Sequence, residues 1–439
     1  MGKKTKFIKW LYSEMPTLVS DGVISEDEAK KLKAHYGDVN EINAGALTLS
    51  ILSVIGGVLT IGGIILLLAH NWPDMSREIR AVVSFVPLII SFILAGYVIL
   101  KKKESSAWRE GVAVFWIGSV LMCMSLICQT YNMGGDFYLF WFICVILSLP
   151  VMYLLDSAVA CIICLAWIVF GYSGWRSETP VYFWGLLAAV IPYIWYSFCK
   201  FKKSQRNVYL AVGITIAMIF ISGLTSDSVR GLWMVSFGAL FSVFYFLSVL
   251  VDKEKFPVQV FKYTGMIGIL YLSAILSCKF AWFDYSSDRI FSENRDFLVE
   301  HIYTWILMFL ALLFIFKTLI KKKYEDAAWG LACVLAFIGY FTMSMNNISY
   351  VPFTISFNAF IAGLGILMLV RGFNLKNVPR MNWGMMIIAL LILMRFFDSN
   401  IDFIVKGIVF IIIGISILIF NIFLAKKIKS DWKGAGNVN

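Results

Sequence analysis

The sequence contains few charged residues for its length. Asp, Glu, Lys and Arg make up 15% of its 439 residues, whereas hydrophobic residues make up 60% and aromatic residues 16%. A soluble fold of this size would need a polar surface around its core, and so few charges cannot supply one. The composition therefore argues against a soluble globular protein and favours an integral membrane protein.

Residues suited to catalysis or metal binding are also scarce. The chain has 3 histidines, and its C-x-x-C pair, Cys161 and Cys164, lies within an apolar stretch. A zinc site would need further thiolates or imidazoles nearby. No P-loop, H-E-x-x-H or G-x-S-x-G pattern occurs in the sequence. We therefore expect no cofactor and no metal, and the sequence favours a protein that is not an enzyme.

Long apolar stretches dominate the chain. About fourteen of them approach the roughly 20 residues that a membrane-crossing helix requires. They cover 44–69, 79–100, 108–128, 137–155, 157–174, 180–199, 207–223, 231–251, 258–278, 299–319, 327–343, 351–370, 381–396 and 401–424. The predicted fold is all-α: a polytopic transmembrane helical bundle over 44–424, followed by a basic cytoplasmic tail over 425–439.

Lysine-rich and lysine-poor connections alternate between these stretches. About 29 of the 38 Lys and Arg residues fall in one set of connections and at both termini, against about eight in the other set. This is the positive-inside rule, and it predicts an even number of crossings with both termini in the cytoplasm. The turn at Asp156 is short, so 137–174 could cross twice or form a re-entrant pair.

The net charge of +11 does not indicate nucleic-acid binding, because the basic residues lie at the predicted membrane borders. Anionic lipid headgroups are the expected counter-charge there. We therefore expect membrane lipids as partners and no nucleic acid. The basic segment Met1–Lys9 is followed by no apolar h-region and no cleavage site, so we expect the first crossing to act as an uncleaved anchor.

Residues 1–43 are predicted to form a small cytoplasmic amphipathic helical hairpin. Gly22 would turn the chain, and Ser25 followed by Glu28 is the pattern of a capping box that opens the second helix. The hairpin is too small to have a core of its own, so we expect it to lie on the membrane face or to bind a protein partner. A helix-turn-helix DNA reader is the alternative, but the second helix begins with three acidic residues.

Four segments resemble a known family. They are LVSDGVISEDEAKKLKAHYG (18–37), LSVIGGVLTIGGIILLLAHNW (52–72), QTYNMGGD (129–136) and MRFFDSNIDFIVKGIVFIIIGISILIFNIFLAKK (394–427). This run is similar to the predicted bacterial membrane proteins grouped as domain of unknown function 2157. The resemblance implies a polytopic architecture in a bacterial inner membrane. It implies no chemistry and no catalytic residues.

Polar residues gather at the lysine-poor ends of several predicted spans. They are His70, Asn71, Trp72, Asp74, Arg77, Gln129, Tyr131, Asp136, Arg395, Asp398, Asp402 and Lys406. Asp402 and Lys406 have the i,i+4 spacing of an ion pair. An unpaired lysine at that depth would cost up to about 3 kcal/mol on insertion scales. We interpret the set as a candidate polar site near the outer leaflet; the alternative is interfacial anchoring, with Arg395 paired to Asp398.

One motif occurs twice. LKKKESSAWREGVAVFWIG (100–118) is similar to IKKKYEDAAWGLACVLAFIG (320–339), and both would cross the membrane in the same direction. Parallel repeats occur in transporters. Lysine anchors and a tryptophan at the membrane border are also common in unrelated membrane helices.

Three classes of function stay open. A transporter or flippase of a small solute or amphiphile fits best, because it needs many crossings, a polar cavity and no large extramembrane domain. A non-catalytic scaffold or sensor would act through the N-terminal hairpin. An intramembrane transferase at the outer leaflet would use His70, Asp74 or Asp136 as general base. The ligand, the coupling ion and the oligomeric state do not follow from the sequence.

Overall fold

The computed structural model describes residues 3–36, 44–135, 137–173, 181–200, 204–227, 232–251, 257–283, 298–346, 349–375 and 377–398. Within these ranges the regular elements are helices and there is no strand. The helices are α1 (Lys3–Ser20), α2 (Glu26–Tyr36), α3 (Ala44–Asn71), α4 (Arg77–Lys101), α5 (Ser106–Thr130), α6 (Phe137–Leu154), α7 (Ala158–Ser173), α8 (Val181–Lys200), α9 (Gln205–Asp227), α10 (Leu232–Leu250), α11 (Val258–Leu276), α12 (Phe280–Phe283), α13 (Leu298–Ile320), α14 (Tyr324–Trp329), α15 (Leu331–Asn346), α16 (Val351–Asn374) and α17 (Val378–Asp398). A 3-10 turn, Trp72–Asp74, follows α3.

These helices coincide with the predicted spans. Every predicted span before residue 400 falls on one helix, except the span at 327–343, which falls on α14 and α15. In the described part of the chain, 10 helical segments are long and apolar enough to cross a membrane, and Ile51–Leu67 and Ala158–Ser173 are shorter apolar helices. The all-helical membrane fold is thus confirmed, while the span predicted at 401–424 lies outside the described residues.

The chain divides into two compact units, Met1–Cys123 and Met124–Asn439. In the first unit, α3 packs closely on α5. A Cβ atom on Gly57 would lie 3.1 Å from the carbonyl oxygen of Gly111, so only small residues allow this approach. The predicted boundary at 43/44 and the tail at 425–439 stay predictions.

The turn between α1 and α2 contains the predicted capping box. The Ser25 backbone N–H donates to the Glu28 carboxylate at 2.9 Å and the Ser25 hydroxyl donates to it at 2.8 Å. The Glu28 N–H donates in return to the Ser25 hydroxyl oxygen at 3.3 Å. These hydrogen bonds, led by the one from the Ser25 backbone, hold the pKa of Glu28 below its ordinary value. Gly22, with φ of +71°, supplies the left-handed turn.

Helix α10 lies at the centre of the second unit. It packs against α9, α11, α13 and α15, and most of its side chains are buried. Glycine allows α11 to approach it closely. A Cβ atom on Gly265 would lie 2.6 Å from the backbone nitrogen of Tyr245, and one on Gly268 would lie 2.2 Å from the Phe241 ring. These contacts bring α11 and α10 close together at Gly265 and Gly268.

Helices α16 and α17 form a second close pair. A Cβ atom on Gly384 would lie 2.8 Å from the carbonyl oxygen of Gly365 and 2.8 Å from the backbone nitrogen of Leu369. Small residues at such crossings let two backbones touch within a membrane. By contrast, Gly363 faces open space, with nothing within 4 Å of an added Cβ atom.

The turn at Asp156 joins α6 to α7 and is held by charge. Asp156 has φ of +48°, and the Ser157 N–H donates to the Met152 carbonyl at 3.2 Å, which closes the end of α6. The Asp156 carboxylate lies 2.6 Å from the Arg206 guanidinium and 3.8 Å from the Lys200 ammonium. The turn therefore lies beside the connection between α8 and α9.

The far ends of these helices also meet. A Cβ atom on Gly171, near the end of α7, would lie 2.6 Å from the Phe183 ring at the start of α8 and 3.0 Å from the Trp141 side chain on α6. Helices α6 and α7 thus run along α8 from one end to the other. Whether 137–174 crosses the membrane twice or forms a re-entrant pair stays a prediction.

The lysine-rich connections of the second unit converge at one end. Ser204, Pro257, Lys323 and Arg380 come from four such connections, and their side chains line one cavity. We call this the lysine-rich end of the second unit. At the opposite, lysine-poor end, Arg395 of α17 reaches the residues that follow α11. The alternation predicted from the sequence is therefore present in this unit.

Candidate functional site

A groove opens at the lysine-rich end of the second unit. It consists of two adjoining chambers of about 360 and about 560 Å³, which share Lys262, Tyr263, Asp326 and Arg380. These volumes are in the range of small-molecule sites. The shared residues come from α11, α14 and the start of α17, so three helices that are far apart in sequence build the groove.

The smaller chamber combines aromatic and aliphatic side chains with charged ones, and we call it the aromatic chamber. Its remaining lining residues are Tyr245, Met266, Glu325, Trp329, Leu367, Met368, Asn377, Pro379 and Trp383. Tyr245 and Trp329 are buried, and their rings stack with centroids 5.4 Å apart. The Tyr245 hydroxyl donates to the Asp326 carboxylate at 2.7 Å. The lining residues on α11 run from Lys262 to Met266, so this aromatic chamber follows about 6 Å of that helix.

The larger chamber is cationic. Its remaining lining residues are Ser204, Asn207, Val208, Ser248, Val249, Pro257, Val258, Gln259, Val260 and Lys323. With Lys262 and Arg380, three cations face one carboxylate, Asp326, which already accepts from Tyr245. Among the described residues, no side chain hydrogen-bonds to or forms an ion pair with the ammonium group of Lys262 or Lys323. Both lysines are exposed, so the cationic chamber is open at the lysine-rich end.

The second acidic residue of the groove, Glu325, is already paired. Its carboxylate contacts the Arg371 guanidinium and lies 3.9 Å from that of Arg380. These ion pairs tie α14 to the end of α16 and the start of α17. Glu325 is thus neutralised by arginine, and Asp326 alone cannot offset the charges of Lys262, Lys323 and Arg380, so the cationic chamber keeps a net positive charge.

An interrupted helix positions the acidic residues and Trp329. Helix α14 ends at Trp329, the Gly330 N–H donates to the Ala327 carbonyl at 3.0 Å, and α15 begins at Leu331. A Cβ atom on Gly330 would lie 2.6 Å from the Ile315 side chain of α13. Gly330 keeps helical backbone angles, so α14 and α15 continue each other as one apolar segment, Tyr324–Met343. The groove residues of α14 lie at the start of this segment.

The first unit contains part of the site predicted from the sequence. Trp72 is buried, with the Arg80 guanidinium carbon 5.4 Å from its ring centroid. Arg80 also donates to the Pro73 carbonyl at 3.3 Å. The exposed members of this part are His70, Asp74 and Arg77. Asn71 is the last residue of α3, and its side chain is not among those that the structure describes.

The rest of the predicted site belongs to the second unit. Gln129 and Tyr131 are exposed at the end of α5. Four members lie wholly or with their side chains outside the described residues: Asp136, Asp398, Asp402 and Lys406. The ion pairs predicted for Asp402 with Lys406 and for Arg395 with Asp398 therefore stay predictions.

Arg395 has partners that the sequence did not suggest. Its guanidinium donates to the Ser277 hydroxyl at 2.9 Å and contacts the Cys278 sulfur at 3.2 Å. The Asn358 amide, on α16, donates to the Ser277 carbonyl at 3.4 Å. We call Arg395, Ser277, Cys278 and Asn358 the Arg395 cluster. It joins the lysine-poor ends of α11, α16 and α17.

The groove itself was missed by the sequence analysis. Lys262, Lys323 and Arg380 were assigned to lipid headgroups, as border lysines usually are. The available signal was the second copy of the repeated motif, in which Glu325 and Asp326 follow three lysines and Tyr324. The first copy has one acidic residue, Glu104, directly after its lysines, so the adjacent acidic pair distinguishes the second copy.

Metal chemistry has no visible support in the described ranges. No group of three or more His, Cys, Asp or Glu side chains is placed there to hold a metal ion. Cys161 and Cys164 are buried on α7 and do not form a disulfide. The groove residues instead offer ammonium, guanidinium, phenol and indole groups, which suit binding of an anion with an apolar part.

No curated protein and no solved structure matches this chain. A match to a family model confirms the resemblance for the first part of the sequence only. The groove and the segment at 394–427 lie outside that match, so the family carries no information about them. Over residues 16–161, the chain matches the model of the family described as "Predicted membrane protein (DUF2157)".

Proposed function

We propose that this protein is a transporter or flippase that moves a small solute or an amphiphile and takes it up at the groove. The positive-inside rule orients the lysine-rich end toward the cytoplasm. On that basis the chain crosses a bacterial inner membrane about fourteen times, with both termini and the N-terminal hairpin in the cytoplasm. The predicted outer-leaflet residues would then lie on the opposite side from the groove.

One observation carries this proposal: the same three helices bear polar groups at both ends. At one end, Lys262 on α11 and Arg380 on α17 line the groove, and Arg371 on α16 pairs with Glu325. At the other end the three helices are joined by the Arg395 cluster. Arg380 and Arg395 are fifteen residues apart on α17, which is about 22 Å along a helix. A transport path needs polar groups that can bind the ligand at both faces of the membrane. A scaffold needs no such groups at either face.

The crossings of these helices also suit a protein whose helices slide against one another. Gly384 on α17 touches the backbone of α16, and Gly265 on α11 touches that of α10. Helices that meet through backbone contacts lack large interlocking side chains at those points.

Reconstitution into vesicles tests the proposal. The purified protein would be placed in phosphatidylethanolamine and phosphatidylglycerol vesicles that carry fluorescent NBD-phosphatidic acid or entrapped radiolabelled glycerol 3-phosphate. We expect faster exchange of the lipid probe between leaflets, or faster release of the solute, than in protein-free vesicles. Arg395→Gln should slow this movement, because it removes the hydrogen bond to Ser277 at the far end of the path.

Lys321→Gln is the matched control. Lys321 is exposed, lies in a lysine-rich connection and does not line either chamber. Its loss should leave the rate unchanged. Rates equal to those of protein-free vesicles for both probes would contradict transport. Equal rates for the Arg395 variant and the unmodified protein would remove the Arg395 cluster from the path.

A further inference from the structure

We infer that the groove binds the phosphate headgroup of an amphiphile, with the phosphate in the cationic chamber and the apolar part in the aromatic chamber. This inference rests on the proposed function and names its ligand class. It concerns Lys262, Lys323 and Arg380 as the phosphate-binding groups. It also assigns Trp383 and Met266 to the wall that receives the apolar part.

The charge arrangement favours a phosphate. A phosphate monoester carries about −1.5 to −2 charges and three acceptor oxygens at neutral pH. It can therefore engage several cations at once, and an arginine fork suits its geometry. Lys262 and Lys323 have no described partner, while Asp326 and Glu325 are held by Tyr245 and by arginines. A ligand with a single compact negative charge would leave one of the lysines unused.

The shape of the groove favours an amphiphile. The two chambers share Lys262 and Arg380, so a ligand bound by these cations extends directly into the aromatic chamber. That chamber holds Met266, Met368 and Trp383 and follows α11 into the apolar part of the bundle. A water-soluble phosphate would fill the cationic chamber only and would gain nothing from this apolar wall.

Binding can be measured directly on the full-length protein in neutral detergent by native mass spectrometry. The probes are dioctanoyl phosphatidic acid, dioctanoylglycerol and glycerol 3-phosphate. We expect phosphatidic acid to bind at least about tenfold more tightly than either of the others, because only it fills both chambers. Dioctanoylglycerol lacks the phosphate, and glycerol 3-phosphate lacks the apolar part.

Lys262→Gln and Lys323→Gln should each weaken binding of phosphatidic acid by about fivefold, the worth of one lysine near a phosphate surface. The double variant should lose about 25-fold if the two act independently. Lys321→Gln, a change of the same charge two residues from Lys323, should have no effect. All three lysines are exposed, so their variants should keep the thermal stability of the unmodified protein.

Each alternative outcome overturns a defined part of the inference. Equal affinity for glycerol 3-phosphate would show that the ligand is a soluble phosphate. Equal affinity for dioctanoylglycerol would show that the phosphate is not recognised. An equal loss of affinity in the Lys321 variant would show that the lysines act only through general surface charge. Binding of phosphatidic acid without its movement in vesicles would contradict the transport function but not the ligand site. Movement that Lys262→Gln and Lys323→Gln leave unchanged would contradict the ligand site but not transport.

Discussion

Asp156 illustrates how one side chain can locate a turn within a membrane protein. Its carboxylate lies against Arg206, whose side chain is 9% exposed, while its backbone adopts the left-handed conformation. Arg206 also donates to the Tyr193 hydroxyl. The sequence alone indicated only a short turn here, because Arg206, the cation that binds Asp156, is fifty residues away.

Replacing this carboxylate should be costly. We predict that Asp156→Asn lowers the free energy of unfolding by about 3 kcal/mol, because it removes the carboxylate charge 2.6 Å from the nearly buried Arg206 guanidinium. Asparagine tolerates the positive φ of this position, so the change reports charge and not backbone strain. The measurement is an unfolding titration in mixed detergent micelles.

Lys200→Gln provides the comparison for Asp156→Asn. Lys200 is 49% exposed and lies 3.8 Å from Asp156, so its loss should cost less than about 1 kcal/mol. Equal losses for the Asp156 and Lys200 variants would show that Arg206 does not depend on this carboxylate.

The lowered pKa of Glu28 predicts that the stability of the first turn of α2 depends on pH. Because hydrogen bonds from Ser25 lower its pKa in the folded protein, their contribution is present above the pKa of the unfolded glutamate. It is lost as the pH falls through the lower, folded value. We expect hydrogen-exchange protection of the first turn of α2, corrected for intrinsic rates, to fall in this acidic range. Glu28→Gln keeps a capping partner without a titrating group, so its protection should not change there.

The close packing of α16 against α17 depends on glycine residues. We predict that Gly384→Ala destabilises the protein by about 1–3 kcal/mol, because its Cβ atom would meet the backbone of α16 at Gly365 and Leu369. Gly363→Ala is the matched control, since nothing lies within 4 Å of that added atom. It should be neutral or slightly stabilising. Thermal unfolding of the two variants distinguishes them, and equal melting temperatures would contradict the close crossing.

The helices were largely predictable, because hydropathy and capping patterns are local. The apolar stretches and the Ser25–Glu28 box each depend on residues within one turn or one span. The two sequence copies of the repeated motif show where local reasoning ends. Trp108, in the first copy, is exposed, whereas Trp329, in the second, is buried against Tyr245. Only the packing of the surrounding helices decides between these outcomes.

The groove was not predictable, because it is assembled from distant parts of the second unit. Tyr245 and Arg380 are more than one hundred residues apart, and no periodicity in the sequence shows that α10, α11, α14 and α17 are neighbours. The candidate site was therefore placed at the lysine-poor ends, where polar residues looked unusual. Of that predicted set, Arg395 has a described polar cluster around it on facing helices.

The orientation of the second unit determines which compartment supplies the ligand. The lysine-rich end contains the groove, the Asp156 turn and the exposed Cys199. Met133, which is exposed in the turn between α5 and α6, lies at the opposite end of α6 from Asp156. These two positions can report on the two faces of the membrane.

Thiol labelling with a membrane-impermeant maleimide tests the orientation directly. In a Cys128→Ser background we expect Cys199 to react in inside-out vesicles and to be protected in intact cells. Met133→Cys, with Cys128 and Cys199 both replaced by serine, should show the reverse. Reaction of Cys199 in intact cells, or reaction of both positions from the same side, would contradict a groove that faces the cytoplasm.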